Sequence, residues 1–153
     1  MFRRILPLAL TLLAAPAVAA TDTYTLDPYH TFVNFTVDHL GLSTIHGRFG
    51  KTTGKIGVDR AAHTASLEVQ IDASSVDTGD NERGSRPRSR NEHLRSADFF
   101  NAAEFPHAMY KSTRVVFNGD TPATIEGNLT LLGVTKPVAL KVERFKCIME
   151  QNN

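Results

Sequence analysis

The chain has 153 residues, 41% of them hydrophobic and 22% charged, with seven prolines, one cysteine and no tryptophan. That is enough apolar material for one modest core and too much for a disordered chain. Seventeen basic side chains against sixteen acidic ones remove the bulk attraction of a dedicated nucleic-acid binder, so no nucleic-acid partner is expected.

The chain starts with a positive run, Met1 to Arg4, followed by an apolar stretch from Ile5 to Ala15 and small residues from Ala17 to Ala20. This is the order of a secretory signal peptide, with cleavage expected near Ala19 or Ala20. The apolar stretch is shorter than the roughly 20 residues that span a bilayer, and Thr21-Asp22-Thr23 ends it in polar sequence. Residues 1–20 therefore predict export without a permanent membrane anchor, and residues 21–153 the mature domain. Taking Arg3 and Arg4 from the seventeen basic residues leaves fifteen against sixteen acids, so the mature domain is near neutral. Cys147 is alone in a chain bound for an oxidising compartment. It is a buried bystander, a pair between chains, or the half of a pair whose other half lies in sequence this chain lacks.

Alternation of period 2 dominates the mature domain. Val33, Phe35 and Val37 oppose Asn34 and Thr36, and Ala65, Leu67, Val69 and Ile71 oppose Ser66, Glu68, Gln70 and Asp72. The same pattern returns in Ile125, Gly127, Leu129 and Leu131 and again in Val138, Leu140 and Val142, with weaker strand signals over 44–50, 52–58 and 108–117. Turn residues fall between the runs, at Gly41, 59–63, 118–120 and Gly133. Only 91–104 departs from this period, with Ser89 or Asn91 placed to cap one short helical turn and Ser96 a second. The expected fold is all-β, an antiparallel meander closed as a sandwich or barrel, with a short helical insertion. A sandwich fills its own middle, whereas a barrel of about eight strands can hold one ligand. The inward residues are Val, Ile, Leu and Phe, so an enclosed space would suit an apolar guest, and each of these positions can equally be ordinary core.

Phosphate-cradling glycine motifs are absent. Gly41-Leu42-Ser43-Thr44-Ile45 fails as a nucleophile elbow for want of the final glycine, and Cys147 has no C-x-x-C partner. The six histidines, His30, His39, His46, His63, His93 and His107, show no metal-ligand spacing. No catalytic residue, metal or cofactor is expected. His39 shares the parity of Val37 and would place an imidazole at the end of an apolar face. The arginine-rich stretch 83–90 could grip a phosphate, but its Gly, Pro and Ser interleaving reads as a solvated, mobile loop. The sequons at Asn34 and Asn128 fall inside strands and read as accidents of alternation.

Six stretches in order resemble a known family: His30 to Gly41, Gly47-Arg48-Phe49, Ser75 to Thr78, His93 to Phe100 followed by Phe105-Pro106, Gly127 to Leu131, and Gly133 to Val138. Together they resemble the YceI-like polyisoprenoid-binding proteins over nearly the whole mature chain. The resemblance implies a lipocalin-like antiparallel barrel in the bacterial periplasm. Its apolar tunnel would hold a prenyl quinone or polyprenyl phosphate for isoprenoid transport, storage or stress response, and no catalytic residues come with it. Against the family pattern, 84–90 is an insertion flanked by the near repeat Asn81-Glu82-Arg83 and Asn91-Glu92-His93, and the chain stops short of the family's last strands. An incompletely closed barrel is the consequence.

Three functions fit this pattern. In the first, a lipid carrier or store, Val33, Phe35, Val37, Phe49, Leu67, Val69, Ile71, Leu129 and Leu131 line the tunnel, and His39 or Arg95 holds a polar head group at its mouth. The second is an exported histidine-dependent or metal-dependent enzyme using residues such as His30, His39 and His93. The third is a truncated, non-functional fragment or an interaction module whose open strand edges pair with another chain, a homodimer included.

Overall fold

The computed structural model describes residues 21–148; the targeting segment read from residues 1–20 lies outside them. The strands are β1 (Asp22–Thr25), β2 (Val33–His39), β3 (Ser43–Phe49), β4 (Thr52–Asp59), β5 (Thr64–Asp72), β6 (Val76–Asp77), β7 (His107–Asn118), β8 (Thr121–Leu131) and β9 (Val134–Lys141), with one helix, α1 (Arg90–Arg95), between β6 and β7. Every strand expected from alternation forms, and β1 and β6 are added. Ser89 caps α1: its hydroxyl accepts from the Glu92 N–H while the Glu92 carboxylate accepts from the Ser89 N–H, a reciprocal capping box. Ser96 does not start a second helix. It ends the first, its N–H donating to His93 O, and the residues after it run as turns.

Two antiparallel sheets result, in the orders β1-β4-β5-β7-β8-β9 and β2-β3-β6, and among the described residues no ladder joins them. The barrel is therefore open, with β1 and β9 at the edges of the large sheet and β2 and β6 at those of the small one. On β9 the register with β8 and the bond from Val142 N to Ala123 O put the odd-numbered peptide groups outward. Pro137 falls among them, so its missing N–H lies on the free edge, where a proline costs no ladder bond.

The apolar core sits at one end of the large sheet's inner face. Phe49, Ile71, Val76 and Ala108 are buried together, with Val33, Phe35, Val69, Leu94, Phe100 and Leu131 packed around them. The rings of Phe35, Phe49 and Phe100 meet with centroids 5.1 to 6.3 Å apart, tilted and edge-on as aromatic quadrupoles prefer. Phe35 is paired with Gly47 across the β2–β3 ladder, and its ring occupies the space a Cβ on that glycine would need.

At the other end the large sheet splits. The β5–β7 ladder runs only from Asp72↔His107 to Glu68↔Lys111; beyond it the strands part, and the Leu67 N–H is taken by the Ser112 hydroxyl at 2.8 Å. The register shift between Ser112 and Arg114 marks a bulge in β7 at Thr113, and the one between Val116 and Phe117 a bulge in β8 at Ala123. The residue added at Thr113 flips the side-chain parity, so Val115 and Phe117 join the face that Ala108 and Tyr110 began.

Candidate ligand cavity

The parting of β5 from β7 leaves a cavity of about 470 Å³ between the β4–β5 and β7–β8 hairpins. Ile56 and Val58 of β4, Ala65 and Leu67 of β5, Val115 and Phe117 of β7, and Pro122 and Ile125 of β8 form its walls, while Val142 and Phe145 cross it from beyond β9. The lining is almost wholly hydrocarbon. Polar side chains come from the hairpin turns, Arg60, His63 and Asp120, with Ser66 on the wall. Local chemistry fixes those turns: Asp59 accepts from the Ala62 N–H at 2.8 Å, an Asx-type turn, and Gly119 takes the left-handed conformation at φ 59° that a tight hairpin needs.

Across the rim, His63 Nε2 lies 3.1 Å from Asp120 Oδ1 and its ring stacks on Phe117 at 6.1 Å, so one imidazole links the two hairpins. Arg60 Nη2 is 3.5 Å from the Tyr24 hydroxyl and donates to Cys147 Sγ at 2.8 Å. The Tyr24 hydroxyl and the Cys147 thiol both hold the guanidinium further toward its charged form. Cys147 is exposed and engaged with Arg60, which replaces the reading of it as a buried bystander.

The residues expected to line a tunnel divide. Val33, Phe35, Phe49, Val69, Ile71 and Leu131 belong to the packed core, and Leu67 lines the cavity. Leu129 lies between the two, opposite Tyr110, and Val37 is 50% exposed. His39 and Arg95, the two alternatives for a mouth residue, lie at opposite ends of β3. His39 pairs with Ser43 at one end of β3, while Arg95 donates to Ser74 O at 2.7 Å and Val76 O at 3.0 Å, beside Phe49 at the other end. Six strand steps put those ends about 20 Å apart. The polar side chains at the cavity rim are Arg60, His63 and Asp120, which carry no local signal in the sequence beyond standing in hairpin turns.

The arginine stretch is pinned to carboxylates. Arg86 makes a two-pronged pair with Asp80 at 2.7 and 2.8 Å, Arg83 pairs with Glu92, and Arg88 pairs with Asp98 at 2.7 Å. Arg90 reaches Asp80 at 3.5 Å. These guanidiniums are already satisfied, which leaves them poor phosphate grips. Beneath them the buried Asn91 accepts from the Thr78 N–H and hydroxyl and donates to Asp77 and Asn81, so the near repeat around 81 and 91 is stitched to itself. Three histidines pair singly with carboxylates on separate elements, His30 with Asp27, His63 with Asp120 and His93 with Asp98. Among the described residues no group of three His, Cys, Asp or Glu side chains could hold a metal ion.

An open antiparallel barrel with an apolar cavity is what a comparison with known proteins has to match. The model of the YceI-like domain matches residues 24–152. The chain belongs to the YceI-like domain family. It is 42% identical over 131 residues to the protein YceI of Escherichia coli O6:H1, and 41% identical over 131 residues to a UPF0312 protein of Pseudomonas aeruginosa; each match covers 85% of this chain and 64% of the relative. Among solved structures it resembles Burkholderia cenocepacia BcnA (TM-score 0.56, 22% identity, 71% of this chain and 63% of that one) and the Campylobacter jejuni YCEI protein (TM-score 0.53, 31% identity, 76% and 64%). The chain thus spans 64% of the length of these curated relatives. Its fold is that of the YceI-like proteins, a lipocalin-like antiparallel barrel, here with its two sheets unjoined.

Proposed function

We propose that this protein binds a polyisoprenoid lipid, a prenyl quinone or polyprenyl phosphate, in the periplasm, for transport, storage or stress response, and that binding rather than catalysis is its task. The observation that carries the reading is the cavity between the parted strands. Its volume of about 470 Å³ lies in the range of small-molecule sites, roughly 300–1,000 Å³. An isoprenoid chain is branched hydrocarbon with no hydrogen bonds to lose, so walls of Ile56, Leu67, Val115, Phe117 and Ile125 suit it. Each Å² of apolar surface removed from water contributes about 25 cal/mol, less the cost of ordering a flexible chain. The head group would lie at the rim, near Arg60 and His63. Family membership and the signal-like start of the sequence support the same reading.

Displacement of a neutral apolar dye, N-phenyl-1-naphthylamine, by farnesol tests it. The dye should brighten with the wild-type protein and be displaced by farnesol, and Ala65→Phe, which fills the cavity from the β5 wall, should weaken dye binding at least tenfold. Equal dye binding by wild type and the filled variant would contradict the assignment.

A further inference from the structure

The segment after β9 is placed in a way that neither the fold nor the proposed ligand requires. Its last ladder-type bond is from Val142 N to Ala123 O at 2.9 Å, and residues 143–148 take part in no strand. The segment nevertheless stays against the molecule: Val142 and Phe145 lie in the cavity lining, and Cys147 meets Arg60 at 2.8 Å. Arg60 directly follows β4, and its other contact is Tyr24 of β1. The chain therefore leaves the β9 edge, crosses the space between the two parted hairpins, and is caught on the far side, where β1 and β4 pair.

We propose that residues 142–147 form a strap over the apolar cavity, hinged at Val142 and latched by the Arg60–Cys147 contact, and that ligand enters and leaves when the latch opens. The gating half rests on the ligand-binding reading; the covering half does not. The strap's attachments are light. Phe145 is still 46% exposed, and a thiol is a weak acceptor. Among the described residues Arg60 forms no salt bridge that opening would break. A segment held by one half-buried ring and one contact to sulfur opens at low free energy, as binding-site lids do. Its hinge is anchored by a ladder bond, so opening leaves the two sheets intact.

The protein contains no tryptophan, so Phe145→Trp gives a single fluorophore on the strap. Its emission and its acrylamide quenching are read with and without Cys147→Ala, and the dissociation rate of N-phenyl-1-naphthylamine is measured by stopped flow in wild type and Cys147→Ala. Opening the latch should shift the indole emission to the red, at least double the quenching constant, and speed dye release at least threefold. Methylthiolation of Cys147 in the unsubstituted chain should speed release by a similar factor, which guards against misfolding of a variant. An unchanged quenching constant would overturn the strap. Increased quenching with unchanged release rates would overturn its gating role. Increased quenching in a protein that binds no dye would support the strap and count against the ligand reading.

Discussion

Tyr110 lies across the bare backbone of Gly127, and its hydroxyl donates to Ile125 O at 2.9 Å and Val138 O at 3.1 Å. One side chain of β7 thus ties β8 and the free-edge strand β9 into the sheet. A Cβ on Gly127 would stand 2.6 Å from the ring's Cζ, its Oη and the carbonyl oxygen of Lys111. The carbonyl is fixed by the ladder and the ring by the phenol's own bonds. Gly127→Ala should destabilise the protein by about 2–3 kcal/mol, the upper part of the range for overpacking. Tyr110→Phe, which removes only the hydroxyl, should cost about 1 kcal/mol. Urea unfolding followed by circular dichroism separates the two; equal costs would mean that the glycine's openness is not what seats the ring.

Thr52 is fully buried opposite Ile71, and among the described residues its hydroxyl has no hydrogen-bond partner. Burying a hydroxyl unpaired costs roughly 1–3 kcal/mol. Thr52→Val keeps the branched shape and removes the orphan group, so it should raise stability by about 1 kcal/mol in the same urea experiment. A loss of stability would show that the hydroxyl is satisfied in solution.

The division between core and cavity makes opposite demands on inward-facing apolar side chains of the two sheets. Phe49 is 8% exposed and touches both other rings of the aromatic cluster, so Phe49→Ala should cost about 3–5 kcal/mol. Leu67 faces a space that already exists, and Leu67→Ala should cost only about 1 kcal/mol, below the usual 2–5 for a packed leucine. Dye binding should respond in the reverse order, weakened more by the Leu67 change in any sample that remains folded. A cost for Leu67→Ala equal to that of a packed core leucine would mean that the cavity collapses in solution.

Acid should weaken the helical insertion first. The Arg83 guanidinium, then the Ser89 N–H, hold the Glu92 carboxyl at about 2, and Arg86 and Arg88 lower Asp80 and Asp98. For a carboxyl whose pKa is lower folded than unfolded, the stabilising contribution is complete above about pH 5 and is lost as pH falls through the folded value. The thermal midpoint should therefore fall between about pH 5 and pH 2, and Glu92→Gln should flatten part of that fall while lowering the midpoint at neutral pH. These groups are solvent-facing, so added salt should shrink the difference. An identical pH profile for wild type and Glu92→Gln would show that the Arg83–Glu92 pair contributes nothing to the acid transition.

The strands are readable wherever apolar and polar residues alternate in the sequence. That contrast marks β2, β5, β8 and β9. It is missing from β1, whose four residues are all exposed, and β6 has only two residues, too few for a period. The bulge at Thr113 has no glycine or proline to announce it, so the inward turn of Val115 and Phe117 could not be anticipated. The cavity's place depends on where the β5–β7 ladder stops, a relation between strands more than forty residues apart in sequence. For that reason alternation alone does not separate core from cavity: of the nine residues expected to line a tunnel, six pack in or around the core, Leu67 lines the cavity and Val37 is half exposed. The arginine stretch was legible as a charge cluster, while its carboxylate partners lie six to ten positions away, a spacing that no helix or strand period singles out.

Occupancy of the apolar cavity of this YceI-like domain by an isoprenoid chain is what the proposed function requires. Its most direct test is organic-solvent extraction and mass spectrometry of protein exported in bacteria and purified without detergent, comparing wild type with the cavity-filled Ala65→Phe. A polyisoprenoid should co-purify with wild type at near-stoichiometric amount and fall at least tenfold in the variant. A folded wild-type protein that yields no isoprenoid, or the same amount as the filled variant, would contradict the claim.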